Sequence, residues 1–156
     1  QMNEILNQAE RLRRELSAAV EEDASAYEDV LAAFKLPRDT EEEQTRRMEA
    51  IEQASLHAAE VPLKVAQKAV TVMALAERCA ALGNLNAISD AASAAAIAQA
   101  ALRSAAYNVR IDINSLADKT AGEGPLSQLA KLESRAKRLD REVRHSMDER
   151  GGLAAT

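Results

Sequence analysis

Along most of the chain, apolar residues recur every three or four positions, the spacing of one face of an α-helix. The first such pattern begins at or before Asn3 and ends near Phe34, with Leu16, Val20, Tyr27, Val30 and Phe34 on one stripe. Leu36-Pro37 stops it, because the residue before proline avoids the helical region. Thr40-Glu41-Glu42-Glu43 has the form of a capping box and predicts a second helix, charged at first and then apolar through Met48, Ile51 and Leu56. Pro62 lies inside this pattern and is expected to kink the helix or to begin a new one near Glu60. From Val61 to Leu82 two apolar stripes run side by side, one of Val61, Val65, Val72, Leu75, Cys79 and Leu82, the other of Leu63, Ala66, Val70 and Met73. A helix apolar around most of its circumference belongs at the centre of a bundle.

Gly83 reads as the terminator of that segment. The polar break Gly83-Asn84-Leu85-Asn86-Ala87-Ile88-Ser89-Asp90 follows, and then an alanine-dense helix from Ala91 to about Ile111, expected to pack most tightly. Ala121 to Pro125 reads as a loop, Leu126 to about Arg150 as a charged outer helix, and residues 151–156 as a disordered, frayed tail. Nothing has the period of a strand. The pattern therefore predicts one all-α domain over 1–156, an antiparallel bundle of about five long helices.

Composition sharpens this picture. Apolar residues make up 47% of the chain but aromatic ones only 2%, so the core must be built from Ala, Leu, Val and Ile. A net charge of −5 with no basic stripe argues against a nucleic-acid partner. No apolar run approaches the length of a membrane span. Gln1-Met2-Asn3-Glu4 does not read as a signal peptide, and the lone Cys79 allows no internal disulfide; a cytoplasmic protein is expected. Cys79 itself reads as a packed core thiol. His57 and His145 have no partners at ligand spacing, so no metal site is expected.

Two polar intrusions carry candidate chemistry. The first stripe runs through positions 16, 20, 23, 27, 30 and 34, which places Asp23 on a line expected to be buried. A carboxyl there costs several kcal/mol unless paired or protonated, and burial suits it to acid–base work near neutral pH. The position equally admits a carboxylate that bends out to water, or a structural ion pair. In the alanine-rich helix, Asp90, Ile97 and Asn108 are separated by seven and eleven residues, so Asp90 and Asn108 share a stripe, with Arg103 and Arg110 roughly opposite. Ser89-Asp90 is also what a helix start looks like, and Asn84 and Asn86 are also ordinary turn residues. Lys68 interrupts an apolar stripe and reads as a structural, snorkelling side chain.

Taken in order, Asp23-Ala24-Ser25-Ala26-Tyr27, Lys35-Leu36-Pro37, Val61-Pro62-Leu63, Gly83 through Ala91, and Asn108-Val109-Arg110-Ile111 resemble the cyclodeaminase/cyclohydrolase family. That family includes the C-terminal domain of formiminotransferase-cyclodeaminase and bacterial methenyltetrahydrofolate cyclohydrolases. The resemblance implies an all-α fold, usually a homodimer, acting on a reduced folate with no further cofactor. Its reaction is either closure of 5-formiminotetrahydrofolate to 5,10-methenyltetrahydrofolate with loss of ammonia, or hydrolysis of 5,10-methenyltetrahydrofolate to 10-formyltetrahydrofolate. Asp23 matches the position assigned as proton donor. From residue chemistry and placement, Asp90, Asn84 and Asn86 are candidates to bind the pterin edge or orient a water, Ser89 and Asn108 are further candidates to bind substrate, and Lys35, Arg38 or Arg110 to meet the glutamate tail.

The sequence departs from the family in two places. The family's N-terminal Pro-Gly-Gly-Gly-Ser stretch and its Ala-rich helix are absent, so the chain reads as N-terminally incomplete; and Asp112 stands where Asn is expected. The absence of an attached formiminotransferase domain leans toward the hydrolase. The alternative from another class is a non-catalytic helical assembly or binding protein that keeps this fold, a reading that the missing Gly-rich stretch favours and Asp23 opposes.

Overall fold

In the computed structural model, residues 1–152 are described. They form four long helices, α1 (Met2–Phe34), α2 (Glu41–Leu82), α3 (Ile88–Ser115) and α4 (Glu123–Gly151), with short 3-10 turns at Leu85–Ala87 and Lys119–Gly122. The all-α class stands, but the number of long helices is four rather than five. The difference lies at Pro62: α2 continues through it as one helix and no new helix begins near Glu60. The proline has no N–H to offer the Ala58 carbonyl, a defect of about 3 kcal/mol in an isolated helix. Here the ring is buried within the bundle.

Local chemistry sets the ends. Thr40 accepts the Glu43 amide, and Glu43 Oε2 accepts the amides of Thr40 and Asp39, so the predicted capping box is closed. Arg47 braces the α1–α2 connection by donating to the Phe34 carbonyl and stacking 5.6 Å above the Phe34 ring. Gly83 ends α2 in an extended conformation rather than a left-handed one, and its amide donates to the Cys79 carbonyl. The glycine is needed for close approach, since a Cβ would stand 2.5 Å from that carbonyl oxygen. α4 begins earlier than expected, at Glu123, with Pro125 in the first turn where no amide partner is required. Gly152 closes it in the left-handed conformation, at φ 66°. Of the expected tail, residues 153–156 lie outside the described residues.

α2 is the centre: α1, α3 and α4 all pack on it. Its pairing with α3 is the most extensive, and Ala59, Ala66, Ala69, Val70 and Met73 meet Ala98, Leu102, Ala105, Ala106 and Val109 in one core cluster. Leu129, Ala136 and Leu139 of α4 complete it, Val143 further along α4 packs into a second cluster with Ala76, Ala80, Ile88, Ala91 and Ala95, and the charged side chains of α4 face water.

The buried face of α1 is not the one its large residues mark. Ile5, Leu12, Ala19, Ala26 and Ala33, spaced by sevens, turn inward. Val20, Tyr27 and Phe34 remain 70%, 63% and 52% exposed. Asp23 is exposed too, which corrects the expectation of a carboxylate on a buried seam. The reason is steric: alanines let α1 approach α2 closely, and the larger side chains are pushed to the flank. Ion pairs then tie the two helices antiparallel, Glu22 to Lys64 at 2.7 Å and Glu15 to Lys68 at 3.2 Å. Lys68 is thus structural, as expected.

Candidate functional site

α1 and α3 run parallel on the same side of α2 and leave a trench between them, with α2 as its floor. One end is apolar, lined by Ile5, Leu12, Val72, Leu75, Cys79 and Ala91. The middle is mixed: Leu16, Val20 and Asp23 on α1, Pro62 and Val65 on α2, Ala101, Ser104 and Asn108 on α3. The far end is bounded by Asp23, Tyr27, Phe34, Ser55, Ala58, Asp112 and Ser115. Leu16 joins the first two sections and Asp23 the last two, so Asp23 stands where the trench changes from apolar to polar.

Asp23 and Asn108 are therefore brought together on facing walls of one cavity. Asp112 follows Asn108 by one helical turn on the same face and continues that wall. The half-buried carboxyl expected at position 23 is found instead at 112. Burial pushes the Asp112 carboxyl above the usual aspartate range, and the negative charge of Asp23 adds to the shift. Sequence reasoning passed over Asp112 as a site residue; the available signal was its four-residue spacing from Asn108. Ser104, one turn before Asn108, was missed for the same reason.

The other candidates lie elsewhere. Asp90 shares the stripe of Asn108 but stands about five turns, or about 27 Å, away along α3. Asn84, Asn86, Ser89 and Asp90 cluster at the opposite end of the bundle and do not join Asp23 in one cavity. The Asn84 side chain is spent on the Asn86 amide, closing the turn. Ser89 and Asp90 are not the cap of α3, which starts from Ala87 without a side-chain cap; Asp90 sits in its first turn, where the helix dipole favours a carboxylate. Arg110 forks onto Glu133 of α4, both contacts at 2.9 Å, on the side away from the trench. Lys35 and Arg38 lie just beyond Phe34, at the Asp23 end, in the connection to α2. Cys79 is half-buried among core side chains. Among the described residues, no group of three or more His, Cys, Asp or Glu side chains converges as a metal site would, and no helix is long and apolar enough to cross a membrane.

Comparison with known proteins decides the family. The family described as "Formiminotransferase-cyclodeaminase" matches residues 1–131. The chain belongs to this family. It is 37% identical to a methenyltetrahydrofolate cyclohydrolase of Methylorubrum extorquens over 142 residues, 91% of this chain and 68% of that protein. It is 32% identical to the formimidoyltransferase-cyclodeaminase of Rattus norvegicus over 123 residues, 79% of this chain but 23% of the rat protein. Among solved structures, a formiminotetrahydrofolate cyclodeaminase from Thermotoga maritima superposes with a TM-score of 0.82 at 26% identity, covering 94% of this chain and 69% of the other. The chain thus spans about two thirds of the bacterial family members and less than a quarter of the rat one.

Proposed function

We propose that this cyclodeaminase-family chain is a folate-dependent one-carbon enzyme that hydrolyses 5,10-methenyltetrahydrofolate to 10-formyltetrahydrofolate. The observation that carries the reading is Asp23 itself. It matches the family position of the proton donor, and it stands at the apolar-to-polar boundary of an open trench opposite Asn108. A carboxylate there accepts a proton from water as the water oxygen adds to the cationic ring carbon. The bond from that carbon to N5 then breaks as the added hydroxyl loses its proton to solvent and becomes the formyl carbonyl; N5 takes the proton first accepted by Asp23, and the formyl group stays on N10. Proton transfer of this kind contributes about 10²–10⁴-fold. Asn108 and Ser104 are suited to orient the water or the pterin edge, and the apolar floor of Pro62 and Val65 to seat the ring.

Lys35 and Arg38 supply cationic partners for the glutamate tail at the same end of the trench. Arg110 is held by Glu133, and Asn84, Asn86, Ser89 and Asp90 are assigned no contact with the reacting carbon. The proposed enzyme needs no cofactor beyond its folate, works in the cytoplasm, and acts as a homodimer; exposed Val20, Ile97, Tyr107 and Ile111 support pairing with a second copy.

The test is loss of the near-ultraviolet absorbance of 5,10-methenyltetrahydrofolate on adding the protein. A rate above buffer is expected, and no rate above buffer overturns the hydrolase. The solved cyclodeaminase fold supports a second reading, closure of the formimino substrate, in which the same carboxyl protonates departing ammonia. Ammonia release from 5-formiminotetrahydrofolate decides for it.

A further inference from the structure

The chain has only three Tyr and Phe side chains, Tyr27, Phe34 and Tyr107. Two of them, Tyr27 and Phe34, line the same far section of the trench, a cavity of about 240 Å³. They follow Asp23 by four and eleven residues, so all three share one face of α1. Both rings are more than half exposed, so folding leaves much of their surface free for a ligand. Arg47 does not line this section; it donates to the Phe34 carbonyl and lies over the Phe34 ring, which fixes that ring in place. Just beyond Phe34 come Lys35 and Arg38, neither of them in an ion pair among the described residues. In the apolar section at the opposite end the charged lining residue is Arg13, and Glu10 already holds it at 3.1 Å.

We propose that Tyr27 and Phe34 form a stacking lane for the p-aminobenzoyl ring of the folate and so set the direction in which the substrate lies. This rests on the reading of Asp23 as the reacting carboxyl. The pterin lies in the middle section, the reacting carbon at Asp23, the benzoyl ring along Tyr27 and Phe34, and the glutamate toward Lys35 and Arg38. N10 carries both the reacting carbon and the benzoyl ring, so a carbon held at Asp23 delivers that ring to the next turn of α1, where Tyr27 stands. The space suffices, since an apolar cavity of about 150 Å³ holds a benzene ring. Ser55 on the floor and Ser115 on the facing wall offer hydroxyls to the amide that joins ring and glutamate. The reverse direction lays the benzoyl ring against Leu16, Val20 and Val65, where no aromatic side chain stands, and sends the tail carboxylates toward an arginine already paired.

The test uses the whole chain, deuterated except at its Tyr and Phe rings, with saturating 5-formyltetrahydrofolate as an unreactive probe. Nuclear Overhauser contacts are expected from the benzoyl protons to the Tyr27 and Phe34 rings, Tyr27 being assigned by its loss in Tyr27→Leu. Contacts from the pterin H6 and H7 to those rings, or none from the benzoyl protons, overturn the lane. In turnover, Tyr27→Leu is expected to raise KM about two- to tenfold, the loss appearing in KM rather than kcat as for an interaction made equally before and during reaction. Tyr27→Phe, which keeps the ring, is expected to show the smaller rise. An unchanged KM in Tyr27→Leu overturns the lane while the parent still hydrolyses its substrate; no hydrolysis by the parent is instead the failure of the reading on which the lane rests.

Discussion

The two ends of the trench differ in how they use polar residues. At the Gly83–Asp90 end the polar side chains stand in a break in the helices, where backbone groups lack partners. Asn84 is taken up by the Asn86 amide, and Arg150 from α4 donates to the carbonyls of Ala80 and Gly83. At the other end, Asp23, Ser104, Asn108 and Asp112 project from helices whose backbone bonds are already made, and their side chains line open space. A polar residue in a turn is recruited by the backbone; one on a completed helix face is available to a ligand. The more conspicuous sequence signal, the polar break, is therefore the more structural of the two.

The largest effect that can break this contrast is on turnover. Asp23→Asn should lower kcat by about 10²–10⁴-fold with the helical circular dichroism intact, whereas Asp90→Asn should cost no more than a few-fold. Comparable losses from the two would erase the distinction between the ends. Next comes the support of the Asp112 wall. A Cβ at Gly122 would lie 2.2 Å from Cγ2 of buried, β-branched Ile113, the neighbour of Asp112. Gly122→Ala should destabilise by about 1–3 kcal/mol, read as a lower denaturation midpoint at unchanged m-value; a neutral result would mean that α3 yields at its end.

At the turn end, Arg150→Ala should cost about 1–2 kcal/mol through two carbonyl partners lost to α2. Faster amide exchange should be confined to residues near 80–90, and exchange spread over all of α2 would contradict a local clasp. The smallest effect concerns pH. The folded chain holds the Asp112 proton more tightly than the unfolded chain, so this group disfavours folding above its raised pKa and ceases to do so as pH falls toward the ordinary aspartate range. Asp112→Asn should therefore melt higher than the parent near neutrality, the advantage fading on acidification; an advantage independent of pH would assign it to packing.

Much of the fold was legible because its signals are local. The Thr40–Glu43 box, the Leu36-Pro37 stop, the two-striped core of α2 and the charged exterior of α4 each follow from a few neighbouring residues. The inward face of α1 was not legible in the same way. Periodicity weighs large apolar residues, while contact with α2 selected Ala19, Ala26 and Ala33. Alanine is equally at home inside and outside, so its spacing speaks only once the partner helix is known. Pro62 misled the helix count because tertiary packing overrode a local penalty. Asp23 was found on a mistaken premise of burial, and the family resemblance kept it in view. Asp112 was visible only as a departure, because its meaning depends on Asp23, 89 positions away in the chain and adjacent in the trench.

The Arg150 clasp has a consequence for the order of events during synthesis. Ala80 and Gly83 are translated 70 and 67 residues before the arginine that satisfies their carbonyls. At about 5–20 residues per second, the end of α2 waits several seconds for its partner. The turn that separates the two central helices is thus among the last parts of the bundle to be secured, and a nascent chain stalled before α4 would expose a loose hinge at that point.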